Sequence, residues 1–247
     1  MSAVAAMIVI PAYNEAATIR TVAERALMHG PVIVVDDGSG DDTAARLEGL
    51  DLTVLRNERN SGKAASLWRG MQHALSLGAA AVISIDGDGQ HAPEDIPRLL
   101  AVAARLPRTV VIAARLLDRQ SAPRARRIAN GVADFWISWA AGRSIADSQS
   151  GFRLYPAELL REYVPRLRER GGFVFESEIL IDAVRRGFDC VAVPIATVYQ
   201  AGARPSHFRP VADITRIVLM VAGKLAARGF YPQGLWRVWR EPARIEN

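Results

Sequence analysis

Over the first 115 residues, short apolar runs alternate with amphipathic segments. AMIVIP is followed by EAATIRTVAERALMHG, PVIVVDD by DDTAARLEGL, LTVLRN by SGKAASLWRGMQHALSLG, and AVISID by PEDIPRLLAVAARL, with TVVIAA closing the series. A short apolar run bounded by turn formers marks a buried strand, and apolar residues three and four apart mark a helix with one buried face. In the third helical segment Ala64, Leu67, Met71, Ala74 and Leu75 follow the helical period and Gly78 supplies the stop. Four or five strand–helix units in succession predict an α/β fold, a mostly parallel central sheet with helices on both faces. In such sheets ligands bind outside the carboxyl ends of the strands. The loops that follow the strands are therefore where chemistry is expected.

At 247 residues, half of them apolar and 23% charged, the chain suffices for one large domain. We place that domain at residues 1–209 and assign residues 210–247 to a C-terminal amphipathic helix and a basic, aromatic tail. The single cysteine, Cys190, lies in the apolar stretch DCVAVPI. It excludes an internal disulfide framework and reads as a buried thiol in a reducing compartment. No basic segment precedes the first apolar run, so no signal peptide is expected. No uncharged apolar stretch reaches the roughly 20 residues of a membrane-spanning helix, and the expected location is cytoplasmic.

The net charge is +5, and the stretch RLLDRQSAPRARR (115–127) holds five arginines against one aspartate. A solvated surface accounts for such a patch, and so does an anionic lipid or phosphate partner. Nucleic acid is not expected, because no zinc-finger, RRM or helix-turn-helix pattern accompanies the charge.

Four polar loops follow the first four strands: PAYNE (11–15), DDGSGDD (36–42), RNERNSGK (56–63) and DGDGQH (86–91). The first has no glycine, which removes the dinucleotide-binding fingerprint, and NSGK lacks the spacing of a Walker A loop. Read as an EF-hand from Asp86, the fourth loop fails, with His91 at the sixth position and Pro97 at the twelfth. What remains is a hard-cation site. Asp86, Asp88 and Gln90 fall on one side of an extended segment by two-residue alternation. Such a site suits Mg²⁺ or Mn²⁺ with water and phosphate as further ligands. The alternative is a turn whose aspartates cap the helix beginning near Pro93.

The ordered set IPAYNE, VVDDGSGDDT, NSGK, DGDGQH and DSQSGFRLY resembles the inverting family 2 glycosyltransferases of GT-A fold, a resemblance that spans roughly residues 7–209. Within them it is most similar to the dolichyl- and polyprenyl-phosphate mannosyl- or glucosyltransferase branch. One departure is Gly87, where the family commonly has alanine. The resemblance implies metal-dependent transfer from a GDP- or UDP-linked sugar to a polyprenyl phosphate, by a protein peripheral at the inner face of the membrane.

By the same resemblance, Pro11 and Tyr13 contact the base while Glu15 and Asp37 accept hydrogen bonds from base or ribose. Tyr13 also reads as plain packing and Asp36 as a turn former. Lys63 would lie beside the diphosphate; Asp88 and Gln90 would hold the metal, with Asp86 at the ribose or at the metal through water. The loop 200–210, carrying Arg204 and His207, would close over the diphosphate. His91 would join the site or start a helix.

The acceptor divides the reading. A phosphate acceptor is already ionised and calls for arginines; by resemblance these are Arg115 and one of Arg124, Arg126 and Arg127. A hydroxyl acceptor needs a base, for which Asp147 and Glu176 are the candidates. Each has a structural alternative, Asp147 pinning the SGFRLY hairpin and Glu176 serving as a carboxylate at a helix N-terminus. Toward the C-terminus, Ile214, Ile217, Val218, Val221 and Leu225 share a helical face, and Phe230, Tyr231, Trp236 and Trp239 interleave with Arg237 and Arg240. That mixture fits a membrane interface, packing on the core, or a homodimer contact. A catalytically silent nucleotide-binding module would need PAYNE and VDDGS but not Asp86, Asp88 and Gln90, so an enzyme is expected.

Overall fold

A computed structural model describes residues 5–118, 124–165, 172–197 and 210–246. The elements in order are β1 (Ala6–Ala12), α1 (Ile19–Leu27), β2 (Val32–Asp36), β3 (Thr53–Arg56), α2 (Lys63–Ser76), β4 (Ala81–Ser84), α3 (Ile96–Arg105), β5 (Thr109–Ala114), α4 (Arg124–Ala141), β6 (Arg153–Pro156), α5 (Ala157–Glu162), α6 (Gly172–Arg185), β7 (Asp189–Pro194), α7 (Pro210–Ala226) and α8 (Pro232–Arg240). The seven strands form one sheet in the order β3-β2-β1-β4-β6-β5-β7. All neighbours pair in parallel except β6, which runs antiparallel to both β4 and β5.

The two-residue period of each strand divides the core into two layers. Ile8, Ile10, Val34 and Ile83 face α1 and α3, whereas Val9, Ile33, Val35 and Val82 face the layer that contains α2, α4, α6 and α7. Gly70 lets α2 approach β1 closely, since a methyl group there would overlap the Val9 side chain. Helices thus cover both faces, as expected, and all five expected strands form.

Three features differ from the sequence reading. The segment DDTAARLEGL makes only a short 3-10 turn (Ala45–Leu47). Its start is held by Asp41, which accepts hydrogen bonds from the Thr43 amide and hydroxyl, and Gly49 with φ 79° ends it. Second, SGFRLY becomes a strand inserted between β4 and β5. Third, FYPQGLWRVWR folds into α8, and the chain end then runs beside β7, with Ile245 bridging Ala192.

The antiparallel β6 matters most for the site. Parallel strands β1, β2, β4 and β5 deliver their carboxyl ends to one edge, and β6 delivers its amino end there. Residues 147–153 therefore arrive between the loops that follow β4 and β5.

Candidate active site

Beyond β4 the chain turns at residues 87–89, with Gly89 in the left-handed region at φ 72°, rather than continuing in the extended form the two-residue alternation assumed. Asp86, Asp88 and Gln90 are half-exposed while Gly87, Gly89 and His91 are buried, the alternation expected of a ligand-presenting segment. The Thr18 hydroxyl donates to the Gly87 carbonyl (2.7 Å) and fixes the loop against α1. An alanine at Gly87 would bring its methyl 3.2 Å from the end of the Ile19 side chain, a tight but yielding contact. Opposite Asp86 the β6 approach requires Gly151, because a methyl there would overlap the Asp86 carboxylate.

Asp88 accepts one hydrogen bond, from the Gln90 amide (3.0 Å). Its carboxyl is pushed above the usual range by burial and then by the neighbouring charge of Asp86. Two carboxylates crowded in this way, two residues apart on a segment that also carries Gln90, are oxygen donors of the kind a hard divalent cation takes. No cluster of three or more His, Cys, Asp or Glu side chains forms among the described residues. A cation here would therefore complete its shell from water and a bound phosphate.

Lys63, the first residue of α2, places its ammonium 2.7 Å from Asp86 Oδ1 and 3.2 Å from Glu176 Oε1. Burial opposes the charge of Lys63, but the Asp86 and Glu176 carboxylates outweigh it and raise its pKa. For Asp86, burial likewise opposes ionisation, and Lys63 more than compensates, holding the carboxyl below its usual range. Lys63, expected beside a phosphate, thus ties the metal-type loop to α6. Glu176 is buried on α6, and its backbone carbonyl accepts a hydrogen bond from Arg153 (2.6 Å).

On the β5 side, Asp147 grips Arg115 through both oxygens, with Oδ2 2.9 Å from Nε and Oδ1 2.7 Å from Nη2, and also accepts the Arg115 amide (2.8 Å). Burial would raise the Asp147 carboxyl, yet the hydrogen bonds and charge of Arg115 hold it below the usual range. Asp147 was expected to pin an SGFRLY hairpin; instead that segment enters β6 between β4 and β5, and Asp147 fixes an arginine. Ser148 next to it donates through amide and hydroxyl to Asp134 of α4 (both 2.7 Å). Arg127 lies seven residues before Asp134, on the same face of α4, and is half-buried. Arg124 is exposed. The side chain of Arg126, and Arg204 and His207 altogether, lie outside the described residues.

The loops after β1 and β2 interlock. Asn14, in the left-handed region at φ 57°, donates its amide to the Ser39 hydroxyl (2.9 Å) and accepts the Gly40 amide on its side chain (2.8 Å). Pro11, Tyr13 and Glu15 are half-buried along this rim. Asp36 accepts the Ser39 amide (3.0 Å), as a turn former does, and pairs with Arg56 (3.2 Å).

Asp37 sits at the entrance to the loop before α2. It is 3% exposed, and its carboxylate accepts the Asn57 side-chain amide (2.7 Å) and the backbone amides of Ser61 (2.9 Å) and Gly62 (2.8 Å). These bonds shape the loop that leads into Lys63.

Arg153 was not singled out from the sequence. It is fully buried and donates to the carbonyls of Ser148 (2.7 Å) and Glu176 (2.6 Å), joining the Asp147 loop to α6. The available signal was an arginine inside the apolar run GFRLY. Asp134 was missed as well, since nothing local marks it as the partner of Ser148.

His91 is buried against the Phe152 ring, with centroids 5.6 Å apart, and burial pulls its pKa down to about 4 despite the nearby Asp86. It is neutral when folded and titrates near 6.5 when unfolded. The unfolded state therefore binds the extra proton first, and stability falls as pH drops from about 6.5 toward about 4. Over that window His91 should account for about 3 kcal/mol. Urea unfolding near pH 7.5 and near pH 4.5 checks this, because His91→Gln should show a shallower loss than wild type. An identical loss in both proteins would remove His91 as the cause.

A sequence model of Glycosyl transferase family 2 matches residues 7–164. UDP-N-acetylglucosamine–dolichyl-phosphate N-acetylglucosaminyltransferase of Methanococcus voltae is 28% identical over 214 residues, covering 78% of this chain and 85% of that protein. Polyprenol monophosphomannose synthase of Mycolicibacterium smegmatis is 29% identical over 202 residues, 76% of each chain. Among solved structures, glucosyl-3-phosphoglycerate synthase from Mycobacterium tuberculosis, in complex with Mn²⁺, uridine diphosphate and phosphoglyceric acid, aligns with a TM-score of 0.65 at 24% identity. That alignment covers 90% of this chain and 78% of that one, a likeness of fold. The expected fold and family are both met, and the chain belongs to glycosyl transferase family 2, as a glycosyltransferase of GT-A fold.

Proposed function

We propose that the chain transfers a sugar from a nucleoside diphosphate sugar to the phosphate of a polyprenyl lipid, using a divalent cation at residues 86–90. The observation that carries this reading is the Arg115–Asp147 fork beside the metal-type loop. An acceptor phosphate is ionised at neutral pH and needs cations to hold it, not a base to activate it. Arg115 is fixed for that task, and Arg127 shares an α4 face with Asp134, the residue that anchors the same loop. Asp147, with its acidity strengthened and both oxygens engaged, is poorly suited to take a proton.

In the proposed transfer an acceptor phosphate oxygen forms a bond to the anomeric carbon. The bond from that carbon to the donor diphosphate breaks, its electron pair leaves on the nucleoside diphosphate, and the configuration inverts. Asp88, Gln90 and Asp86 would hold Mg²⁺ or Mn²⁺, which when bound neutralises charge developing on the leaving diphosphate. Lys63 stands against Asp86 at the start of α2, where an anion is favoured, and would face that diphosphate. Pro11, Tyr13 and Glu15 would line the base side. The polyprenyl- and dolichyl-phosphate names of the two relatives, and the Mn²⁺ and uridine diphosphate bound by the fold neighbour, support this assignment. Among the described residues no helix is long and apolar enough to cross a membrane. On this reading the chain meets its lipid as a peripheral protein at the cytoplasmic face.

A second reading keeps the donor and swaps in a hydroxyl acceptor with Glu176 as base. It is favoured by the position of Glu176 against Lys63 and by a fold neighbour that binds phosphoglyceric acid. A donor screen comes first: UDP- and GDP-sugars with and without Mn²⁺, read by thermal shift. One nucleotide series should raise the melting temperature by mass action, more so with metal. Transfer is then compared between a polyprenyl phosphate and the corresponding polyprenol. No shift with any nucleotide would overturn the donor assignment, and equal transfer to the alcohol would overturn the phosphate acceptor.

A further inference from the structure

We infer that the outer surface of α7 and α8 is the face by which the chain docks onto an anionic phospholipid bilayer, an inference that rests on the lipid-acceptor reading. In α7, Ile217, Val221 and Leu225, four residues apart, are buried against the protein. The opposite side is apolar too: Val218 and Leu219 are exposed, Leu219 by 67%, and Ala222 and Ala226 are exposed beside them. A helix apolar on both sides needs a cover on both.

The chain then turns through Phe230 (66% exposed) and Tyr231, both at positive φ, into α8. Gly234, Leu235 and Val238 face inward, while Trp236 (58% exposed) and Trp239 (81%) point out with Arg237 and Arg240. This helix is anchored. Trp139 Nε1 donates to the Tyr231 carbonyl (3.1 Å), and the Ser144 hydroxyl contacts the carbonyls of Val238 (3.2 Å) and Glu241 (2.5 Å). The tryptophans are therefore held outward by a fixed element.

Charge chooses the occupant. Arg228, Arg237 and Arg240 are exposed on this side, with Glu241 at the end of α8, while Lys224 is turned inward onto Asp182 (2.7 Å) and Glu178 (3.2 Å). Arg228 lies over the Tyr231 ring at 4.0 Å and Arg240 over Trp236 at 4.4 Å, the apolar-stem, charged-tip arrangement suited to a headgroup layer. A second copy pairing through the same patch would set these cations against each other, since a two-fold interface is self-complementary. An anionic bilayer neutralises them instead. Both helices pack on α4, so docking here also brings the helix that carries Arg127 to the lipid surface.

The test uses vesicles of phosphatidylcholine alone and of phosphatidylcholine with phosphatidylglycerol, free of any polyprenyl phosphate. Wild type should bind the anionic vesicles at least about tenfold more tightly and lose that advantage in high salt. Trp236→Ser/Trp239→Ser and Arg237→Gln/Arg240→Gln should each weaken binding by about tenfold or more, with unchanged melting temperature and nucleotide-sugar affinity. Equal affinity for both vesicle types, or undiminished binding by both variants, would overturn the inference. So would a wild-type dimer, seen by sedimentation equilibrium, that the tryptophan pair converts to monomer. Nucleotide-sugar binding on the same samples reports separately on the catalytic reading.

Discussion

Asp88→Asn is expected to abolish sugar transfer and leave the protein folded. The side chain stands half-exposed on the ligand side of the 86–90 segment, and its one described protein hydrogen bond comes from the Gln90 amide. An asparagine keeps an oxygen for that bond and loses only the charge. Folding stability should therefore stay within about 0.5 kcal/mol of wild type. The charge is what a cation needs: burial and the Asp86 carboxylate already strain the Asp88 anion, and a divalent ion is the partner that relieves both. Without it the leaving diphosphate develops charge unopposed, a loss of at least about 10²–10³-fold in kcat. Calorimetry should show the Mn²⁺-dependent part of nucleotide binding vanish in the variant while the metal-independent part persists. Turnover near wild type would sink the metal assignment.

What the sequence made legible follows from which interactions are local. Strands buried on both faces read as continuous apolar runs, so AMIVIP, PVIVVDD and AVISID announced themselves, and the loops behind them followed. Asp86, Asp88 and Gln90 alternate in exposure with buried Gly87, Gly89 and His91, but the segment turns at 87–89 where the period-of-two reading assumed an extended chain. The insertion of β6 between β4 and β5 could not be read in this way. SGFRLY carries no mark of its partners, and only their pairing brings Gly151 under Asp86 and Arg153 between the Asp147 loop and α6. Asp37 shows a second limit. VDDGS is a recognisable motif, but which oxygen faces a ligand and which holds Ser61 and Gly62 depends on how the 57–62 loop returns. DDTAARLEGL has a helical period that is outweighed by Asp41 bonding to its own turn, the competition between side chain and backbone that disfavours such residues in helices.

The sharpest division between the two acceptors comes from four variants measured together. If the acceptor is a phosphate, Arg115→Ala and Arg127→Ala should raise its KM by about 10- to 100-fold each, because a charge-assisted pair contributes about 1.5–3 kcal/mol. Asp147→Asn should behave like Arg115→Ala, since it loosens the fork that aims the guanidinium. Glu176→Gln is then the control: it weakens the grip on Lys63 but removes no base, so much of kcat should survive. With a hydroxyl acceptor the pattern inverts. Glu176→Gln should then cost about 10²–10⁴-fold in kcat, the usual worth of a general base, and the arginine variants should be mild. The geometry favours the first pattern, because Asp147 is already committed to Arg115 and a phosphate gives the base nothing to remove. A folded but inactive Glu176→Gln, alongside arginine variants with acceptor KM near wild type, would require the lipid-phosphate assignment to be abandoned in favour of a hydroxyl.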